Sequence, residues 1–190
     1  MTDKNESPDK HEFEHIKTQI DALIDDVVTD ERLRNSRIKV DEEPIAVYAL
    51  PAVDYGSAAQ RGKDLGELAK PTGHWHYQIR FNGKSLAYAR SALLNNDRAS
   101  LSKVSVSSLA AAIDVVLRNV HNRLWVRLLT VPERHVNALW WTDEAGKSQV
   151  RVLPGRFTKP ESTLETLDSR DFLNFLNEKP RLDGIKPKPD

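Results

Sequence analysis

The segment Gly73–Leu93, GHWHYQIRFNGKSLAYARSAL, carries the clearest structural signal in this chain. Apolar and polar residues alternate along its first half, which predicts a strand with one face in a core and the other in water. Asn82-Gly83 follows, a pair preferred in two-residue turns because both positions adopt positive φ. The segment therefore predicts two antiparallel strands. Its apolar row is Trp75, Tyr77, Ile79 and Phe81, and its polar row is His74, His76, Gln78 and Arg80.

Two members of the polar row, His74 and His76, suggest a metal site. An H-x-H pair on a strand resembles the metal-binding pair of the cupin family, in which a Glu follows the second His after a short gap. Here the next five residues, YQIRF, contain no acid, and the later half of the cupin pattern is missing. Two histidines are an incomplete ligand set for zinc or iron. A metal centre would need His135, or the acids Glu133 and Asp54, and an exposed polar strand face is the simpler interpretation.

Composition limits the functional class. The chain has 190 residues with 28 basic and 28 acidic side chains, so its net charge is zero, which argues against a protein that binds nucleic acid mainly through phosphate contacts. Residues 1–43 hold thirteen acids and seven bases, whereas residues 44–190 hold fifteen acids and twenty-one bases. An acidic leader before a basic body predicts that the leader docks, either within the chain or onto a partner.

The chemistry of a typical enzyme is hard to find in this sequence. There is no cysteine, and hence no disulfide and no thiol nucleophile. No phosphate-binding P-loop and no nucleophile elbow is present. The amino terminus lacks the apolar core of a signal peptide, and no apolar run reaches the ~18 residues of a membrane span. We therefore expect a cytoplasmic protein without a membrane partner or a cofactor, and enzymatic activity is less expected than its absence.

The chain order predicts an acidic leader over residues 1–43, a single α+β domain over residues 44–178 and a flexible tail over residues 179–190. Within the leader, an amphipathic helix over about residues 10–29 precedes a charged linker. Apolar residues recur three or four apart along this helix, so its stripe must be buried, either on its own domain or against a partner or second copy. The residues of this stripe that we assign to partner binding are Phe13, Ile16, Ile20, Leu23 and Val27.

The sequence of the domain predicts several strands with helices between and after them. We expect a buried strand at Ile45–Val53, a long loop at Asp54–Gly73 with room for a short helix around Asp64–Ala69, the hairpin, and a polar loop at Asn95–Lys103. A core helix then begins with Ser105, Ser107 or Ser108 as its cap, and Asp114 and Arg118 mark its exposed edge. The later elements are a meander of three strands at Leu124–Val131, Val136–Thr142 and Gln149–Leu153, and a helix near Asp168–Glu178 with Asp168 or Ser169 as its cap. In the long loop, Arg61-Gly62-Lys63 is a weak candidate for anion binding.

Adjacent tryptophans in the meander point to a second interface. Side chains alternate across a strand, so Trp140 and Trp141 face opposite sides and cannot both enter one core. One ring must be covered by a helix of this chain or by a partner protein. Both residues therefore join the predicted partner-binding set.

Together these elements predict an α+β fold with an antiparallel sheet of about six strands, formed by the hairpin and the three-strand meander. A central helix packs on this sheet, and helices at both termini flank it. This order is similar to that of small secretion-chaperone-like α+β proteins, and the resemblance implies binding of another protein. The predicted function is a non-catalytic interaction module, such as an adaptor, chaperone-like or immunity-type subunit of a cytosolic bacterial-type complex. The alternative is a metal-dependent enzyme using His74, His76 and His135.

Overall fold

A computed structural model describes residues 8, 10–28, 33, 36–93, 99–120, 126–155 and 165–179. In these ranges the chain forms five helices, nine strands and a 3₁₀ turn at Pro132–Arg134. The helices are α1 (Lys10–Val27), α2 (Tyr55–Gln60), α3 (Leu65–Leu68), α4 (Ser108–Leu117) and α5 (Ser169–Glu178). The strands are β1 (Ile38–Val40), β2 (Ile45–Ala49), β3 (Lys70–Phe81), β4 (Lys84–Leu93), β5 (Ala99–Val106), β6 (Arg127–Val131), β7 (Val136–Thr142), β8 (Ser148–Val152) and β9 (Leu167–Asp168).

The predicted α+β class is confirmed, but the sheet is larger than predicted. Its described strands follow the order β5-β4-β3-β2-β6-β7-β8-β9, with β1 paired to β3 off this path. One pair is parallel, so the sheet is mixed and the predicted antiparallel sheet agrees with the structure only in part. The three additional strands are β1, β5 and β9. Two of them have only two or three residues, too few for an alternating pattern to be recognised, and β5 falls in the segment predicted as a polar loop.

The described residues form two compact units. The first comprises Met1–Val47 and Pro71–Leu128, and the second comprises Tyr48–Lys70 and Leu129–Asp190. Parts of the predicted linker and the predicted tail after Lys179 lie outside the described residues. Among the helices that the structure describes, none combines the length and the apolar character needed to cross a lipid bilayer.

The predicted hairpin is confirmed in the first unit. β3 and β4 pair antiparallel from Phe81↔Lys84 outward. Asn82 and Gly83 have φ values of 50° and 81°, the left-handed conformations that an Asn-Gly turn accommodates. The sequence pattern was sufficient to predict the hairpin, because the Asn-Gly turn and the alternation of polar and apolar residues involve only residues that are neighbours in the chain.

α1 covers one face of this hairpin. Ile16, Ile20 and Ile24 are buried in a cluster with the apolar row of β3. The ring of Phe13 lies 6.2 Å from that of Tyr77. The acidic leader helix thus docks within its own unit, because its apolar stripe matches the apolar row of the strand.

The opposite face of β3 is also covered, which corrects the expectation that its polar row is exposed. His76 is fully buried and Gln78 is only 2% exposed. α4 lies over this face, since the Gln78 side-chain Nε2 donates to the carbonyl oxygen of Ala110 at 3.1 Å. The helix was predicted as the core helix, but the side chains beneath it were assigned to water because alternation cannot reveal a second covering layer.

Arg80 makes burial of this polar row feasible. Its guanidinium binds Asp41 through Nε–Oδ1 at 2.8 Å and Nη2–Oδ2 at 2.9 Å. The same Nη2 lies 2.7 Å from Asp114 Oδ1 on α4. Asp114 was predicted at the exposed edge of α4, yet it is buried, and only Arg118 of that pair is exposed. Burial alone would raise the pKa of Asp114, but hydrogen bonds from Arg80 and Arg118 outweigh it and lower the pKa.

The second unit contains the remaining helices. Phe172, Leu173 and Leu176 of α5 are buried, and Asp168 caps this helix by accepting from the Asp171 N–H at 2.9 Å. The helix was predicted, and of the two predicted cap residues, Asp168 and Ser169, the structure selects Asp168. The segment predicted as a long loop with a short helix around residues 64–69 contains α3 at that place and also α2. Asp64 at the start of α3 accepts hydrogen bonds from Ser148 Oγ at 3.1 Å and Ser169 Oγ at 2.9 Å.

The ion network predicts a clear contrast between two arginines that bind the same aspartate. Arg80→Met leaves Asp114 buried with one partner fewer and frees Asp41, so we expect a loss of about 2–3 kcal/mol in the free energy of unfolding, measured by urea denaturation. Arg118→Ala, whose side chain is 70% exposed, should cost less than about 0.5 kcal/mol. Asp114→Asn added to Arg80→Met should recover part of the loss. Equal effects of the two arginine substitutions would contradict this account.

Candidate functional site

His76 occupies an unusual position in the first unit. Its ring stacks on that of Tyr88, with centroids 4.8 Å apart and planes inclined by 24°. Neither ring nitrogen has a hydrogen-bond partner. Burial lowers the pKa of His76 to about 3, the nearby Arg90 contributes in the same direction, and Gln78 opposes the shift. The imidazole is therefore neutral at physiological pH and is not accessible to a metal ion from solvent.

The buried imidazole predicts a pH dependence of stability. As the pH falls below 6.5, His76 takes up a proton in the unfolded chain, whereas the folded state resists protonation until about pH 3. Stability due to the neutral ring is thus present above pH 6.5 and is lost as the pH falls through this window. His76→Phe should flatten the decline of unfolding free energy between pH 7 and pH 4 by about 3 kcal/mol, measured by urea titrations across that range.

A second histidine variant serves as the control for this prediction. His11→Phe makes the same exchange at an exposed position of α1. If the two variants change the pH dependence equally, burial is not the origin of the effect.

The other candidate ligands do not form a metal cluster in the described part of the chain. The Nδ1 atom of His74 lies 3.0 Å from the carbonyl oxygen of Ser91 on the neighbouring strand. In the second unit, His135 has φ 49° at the end of the 3₁₀ turn, Glu133 Oε1 accepts from the Tyr55 hydroxyl at 2.7 Å, and Asp54 caps α2. No group of three or more His, Asp or Glu side chains suited to a metal ion occurs among the described residues.

The predicted partner-binding residues of α1 differ in accessibility. Ile16 and Ile20 are fully buried in their own unit, and Phe13 and Val27 are half-buried. Leu23 is 45% exposed. A partner could therefore reach this stripe mainly at Leu23.

The two adjacent tryptophans lie in the second unit. Trp140 is buried, and its ring meets that of Tyr48 edge-on with centroids 5.6 Å apart. Trp141 is half-buried. The more accessible ring of the pair is therefore Trp141. The segment Arg61-Gly62-Lys63, a weak candidate for anion binding, lies in the same unit. One of its cations is already paired, because Lys63 Nζ lies 2.5 Å from Glu67 Oε2.

Sequence reasoning missed β5, which ends the strand order of the sheet. Leu101 and Val104 both pack against the core shared with α1, yet they are three residues apart rather than two or four. The register with β4 explains this spacing, because Leu101 pairs with Ser91 and Lys103 with Arg90, so that Ser102 is an extra residue. Such a bulge breaks the alternation by which a strand is recognised. The feature of the sequence that could still have indicated this strand is the run of valine and serine residues that ends at Val106.

The segment Lys103–Val106, together with Arg90 of the neighbouring strand, is here called the β5 edge. The register with β4 places Arg90 and Lys103 on one face of the sheet and Val106 on the other. The guanidinium carbon of Arg90 lies 5.8 Å from the centre of the Tyr88 ring, and Lys103 Nζ lies 6.0 Å from it. Neither cation forms an ion pair with any described residue. Val106 is 49% exposed. The β5 edge therefore combines two available positive charges with an exposed apolar side chain.

Comparison of the chain with protein-family models, with curated proteins and with solved structures finds no match.

Proposed function

We propose that the protein is a non-catalytic protein–protein interaction module, an adaptor, chaperone-like or immunity-type subunit of a cytosolic bacterial-type complex. Its partner presents an acidic, extended segment that binds along the β5 edge. The observation that carries this proposal is the position of β5 at the end of the strand order, with unpaired cations beside it.

A strand at the end of a sheet is suited to binding an extended peptide. Its outer backbone N–H and C=O groups can form a further antiparallel or parallel ladder with an incoming chain. α1 engages the first half of β5, where the Leu101 N–H donates to the side-chain Oε1 of Gln19 at 2.9 Å, while Lys103 and Val106 in the later half are exposed. The later half of the strand, Lys103–Val106, is the part that remains for a partner.

The charges at the β5 edge favour an acidic partner. Arg90 and Lys103 form no ion pair with any described residue, so a carboxylate brought by a partner would gain charge-assisted hydrogen bonds. A second copy of the chain is a poorer occupant, because pairing two β5 strands would bring like charges together. Two cations are also far fewer than the phosphate contacts that give strong nucleic-acid binding.

Val106 supplies the apolar contribution. A side chain half exposed at the end of an edge strand can be covered by one apolar residue of a bound segment, which adds to the backbone ladder. Backbone pairing provides affinity, while the cations and Val106 select acidic segments that contain an apolar residue. No bond is made or broken in this function, and no catalytic group is required.

The proposal predicts that partner capture depends on the β5 edge. Tagged protein should retain its partner from a lysate of its native host, and the Lys103→Glu/Val106→Ser variant should lose at least about 90% of it, measured by quantitative mass spectrometry. Binding of the purified partner should weaken as the salt concentration rises from 50 to about 500 mM, because screening reduces attraction between exposed charges.

Lys84→Glu is the matched control, since it reverses an exposed charge in the hairpin turn of the same unit. This variant should capture the partner as the wild type does. Capture that is insensitive to Lys103→Glu/Val106→Ser would overturn the assignment of the β5 edge. Leu23→Ser and Trp141→Ser test the two more accessible residues predicted from the sequence, without removing the core of either unit.

A further inference from the structure

The pairing of β5 with β4 determines which backbone groups of β5 point away from the sheet. The Ser107 N–H donates to the Leu86 carbonyl oxygen at 3.1 Å, and the register continues from this pair without a shift through Val104. In an antiparallel pair, residues that exchange hydrogen bonds alternate with residues whose N–H and C=O groups point outward. The outward residues are therefore Val104 and Val106, and no strand that the structure describes lies on that side. The Val106 carbonyl oxygen has Ser105 Oγ at 3.5 Å and keeps a second lone pair for a partner.

Two features of the chain limit the length of this outward ladder. At one end, the Leu101 N–H is already bonded to Gln19 Oε1 at 2.9 Å. At the other end, the Ser107 side chain accepts from the Leu109 N–H at 3.1 Å and caps α4, so the chain leaves the sheet. An incoming strand therefore pairs with the valines within the segment Lys103–Val106.

One face of this segment is apolar. Val104 is half-buried and packs against the core that α1 covers. Val106 lies two residues further along the strand, on the same face, and is 49% exposed. Side chains of an added strand that lie opposite these valines would meet apolar groups, so apolar residues are favoured at both positions.

The other face is positively charged. The guanidinium carbon of Arg90 and Lys103 Nζ lie 5.8 and 6.0 Å from the centre of the Tyr88 ring. Because Tyr88 pairs with Ser105, both charges lean toward the position of Ser105, whose own side chain is small. An acidic side chain opposite Ser105 is thus placed where both cations can reach it, and charge-assisted hydrogen bonds would stabilise it there.

We infer that the segment bound at the β5 edge is an antiparallel strand with the side-chain order apolar-acidic-apolar, its acid opposite Ser105 and its apolar residues opposite Val104 and Val106. This inference rests on the proposed function and adds to it the order of the partner's side chains and the direction of its chain. The antiparallel direction is favoured because such pairs are more stable per residue than parallel pairs. Since side chains alternate across a strand, the acid must be a direct neighbour of the apolar residues in the partner's sequence.

Two isomeric peptides, each acetylated and amidated at its ends, test this order. In Thr-Val-Glu-Val-Glu-Thr the valines share one face and the glutamates the other, whereas Thr-Val-Val-Glu-Glu-Thr has the same charge but mixes them on both faces. The alternating peptide should cause saturable chemical-shift changes at residues 103–106 of the full chain, followed by NMR. Its affinity should be about five- to tenfold higher than that of the isomer.

Methylation of the peptide backbone tests the register. In the antiparallel ladder the N–H groups of the peptide's valines point toward β5, and those of its glutamates point away. N-methylation of the second valine should therefore weaken binding at least about fivefold, while N-methylation of the first glutamate should change it by less than about twofold.

A charge added to the protein tests the position of the acid. Ser105→Glu places a carboxylate of the chain itself beside the two cations, so it should weaken binding of the alternating peptide about tenfold. Ser108→Glu is the matched control, because it adds the same charge at an exposed position in the first turn of α4, where a helix favours an acid. This variant should bind the peptide as the wild type does.

Equal affinities of the two isomers would overturn the inferred order, and equal effects of the two methylations would overturn the inferred register. Absence of saturable binding by either peptide would overturn both. The proposed function is tested separately by capture of the native partner, because loss of capture by Lys103→Glu/Val106→Ser does not depend on the order of the partner's residues.

Discussion

The guanidinium of Arg80 holds together three segments of the first unit: the connection after β1 through Asp41, β3 itself, and α4 through Asp114. Without this group, two carboxylates would lie beneath or beside a helix with no compensating charge, and burial of an isolated carboxylate is strongly unfavourable. The ion network allows α4 to lie on the polar face of β3, while α1 occupies the apolar face. The hairpin is thus covered on both sides, which a strand with alternating polarity does not require.

The side chains in the polar row of β3 differ in how many of their hydrogen-bonding groups have partners. Arg80 is fully paired, Gln78 uses its donor but not its acceptor, and His76 uses neither ring nitrogen. The missing hydrogen bonds have different consequences for His76 and for Gln78. A neutral imidazole can remain buried with a depressed pKa, since its charged form is simply not populated. An amide oxygen cannot change its charge, so the cost of burying it without a donor persists.

Basic residues of the first unit differ in whether an acidic side chain pairs with them. Arg80 is neutralised by Asp41 and Asp114, whereas Arg90 and Lys103 on the neighbouring strands have no such partners among the described residues. The acidic helix α1 does not neutralise them either, because it contacts the sheet through isoleucines. The separation between an acidic leader and a basic body therefore persists in the folded unit, and it is the basis on which an acidic partner is proposed for the β5 edge.

The hairpin, α1, α4, the meander and α5 could be predicted from the sequence, because alternation, 3.6-residue periodicity, Asn-Gly and the Asp168 cap depend on residues close in the chain. The burial of His76 and Asp114 could not be predicted, because it depends on α4 covering a face of β3. The polar residues of that face suggest that it is exposed to water. β5 was missed for a related reason: the bulge at Ser102 shifts the alternation, and only pairing with β4 reveals it. The unpaired cations of the β5 edge and the free oxygen of Gln78 likewise follow from contacts between distant residues. A local pattern specifies which elements form, but which polar groups find partners depends on the three-dimensional packing of those elements.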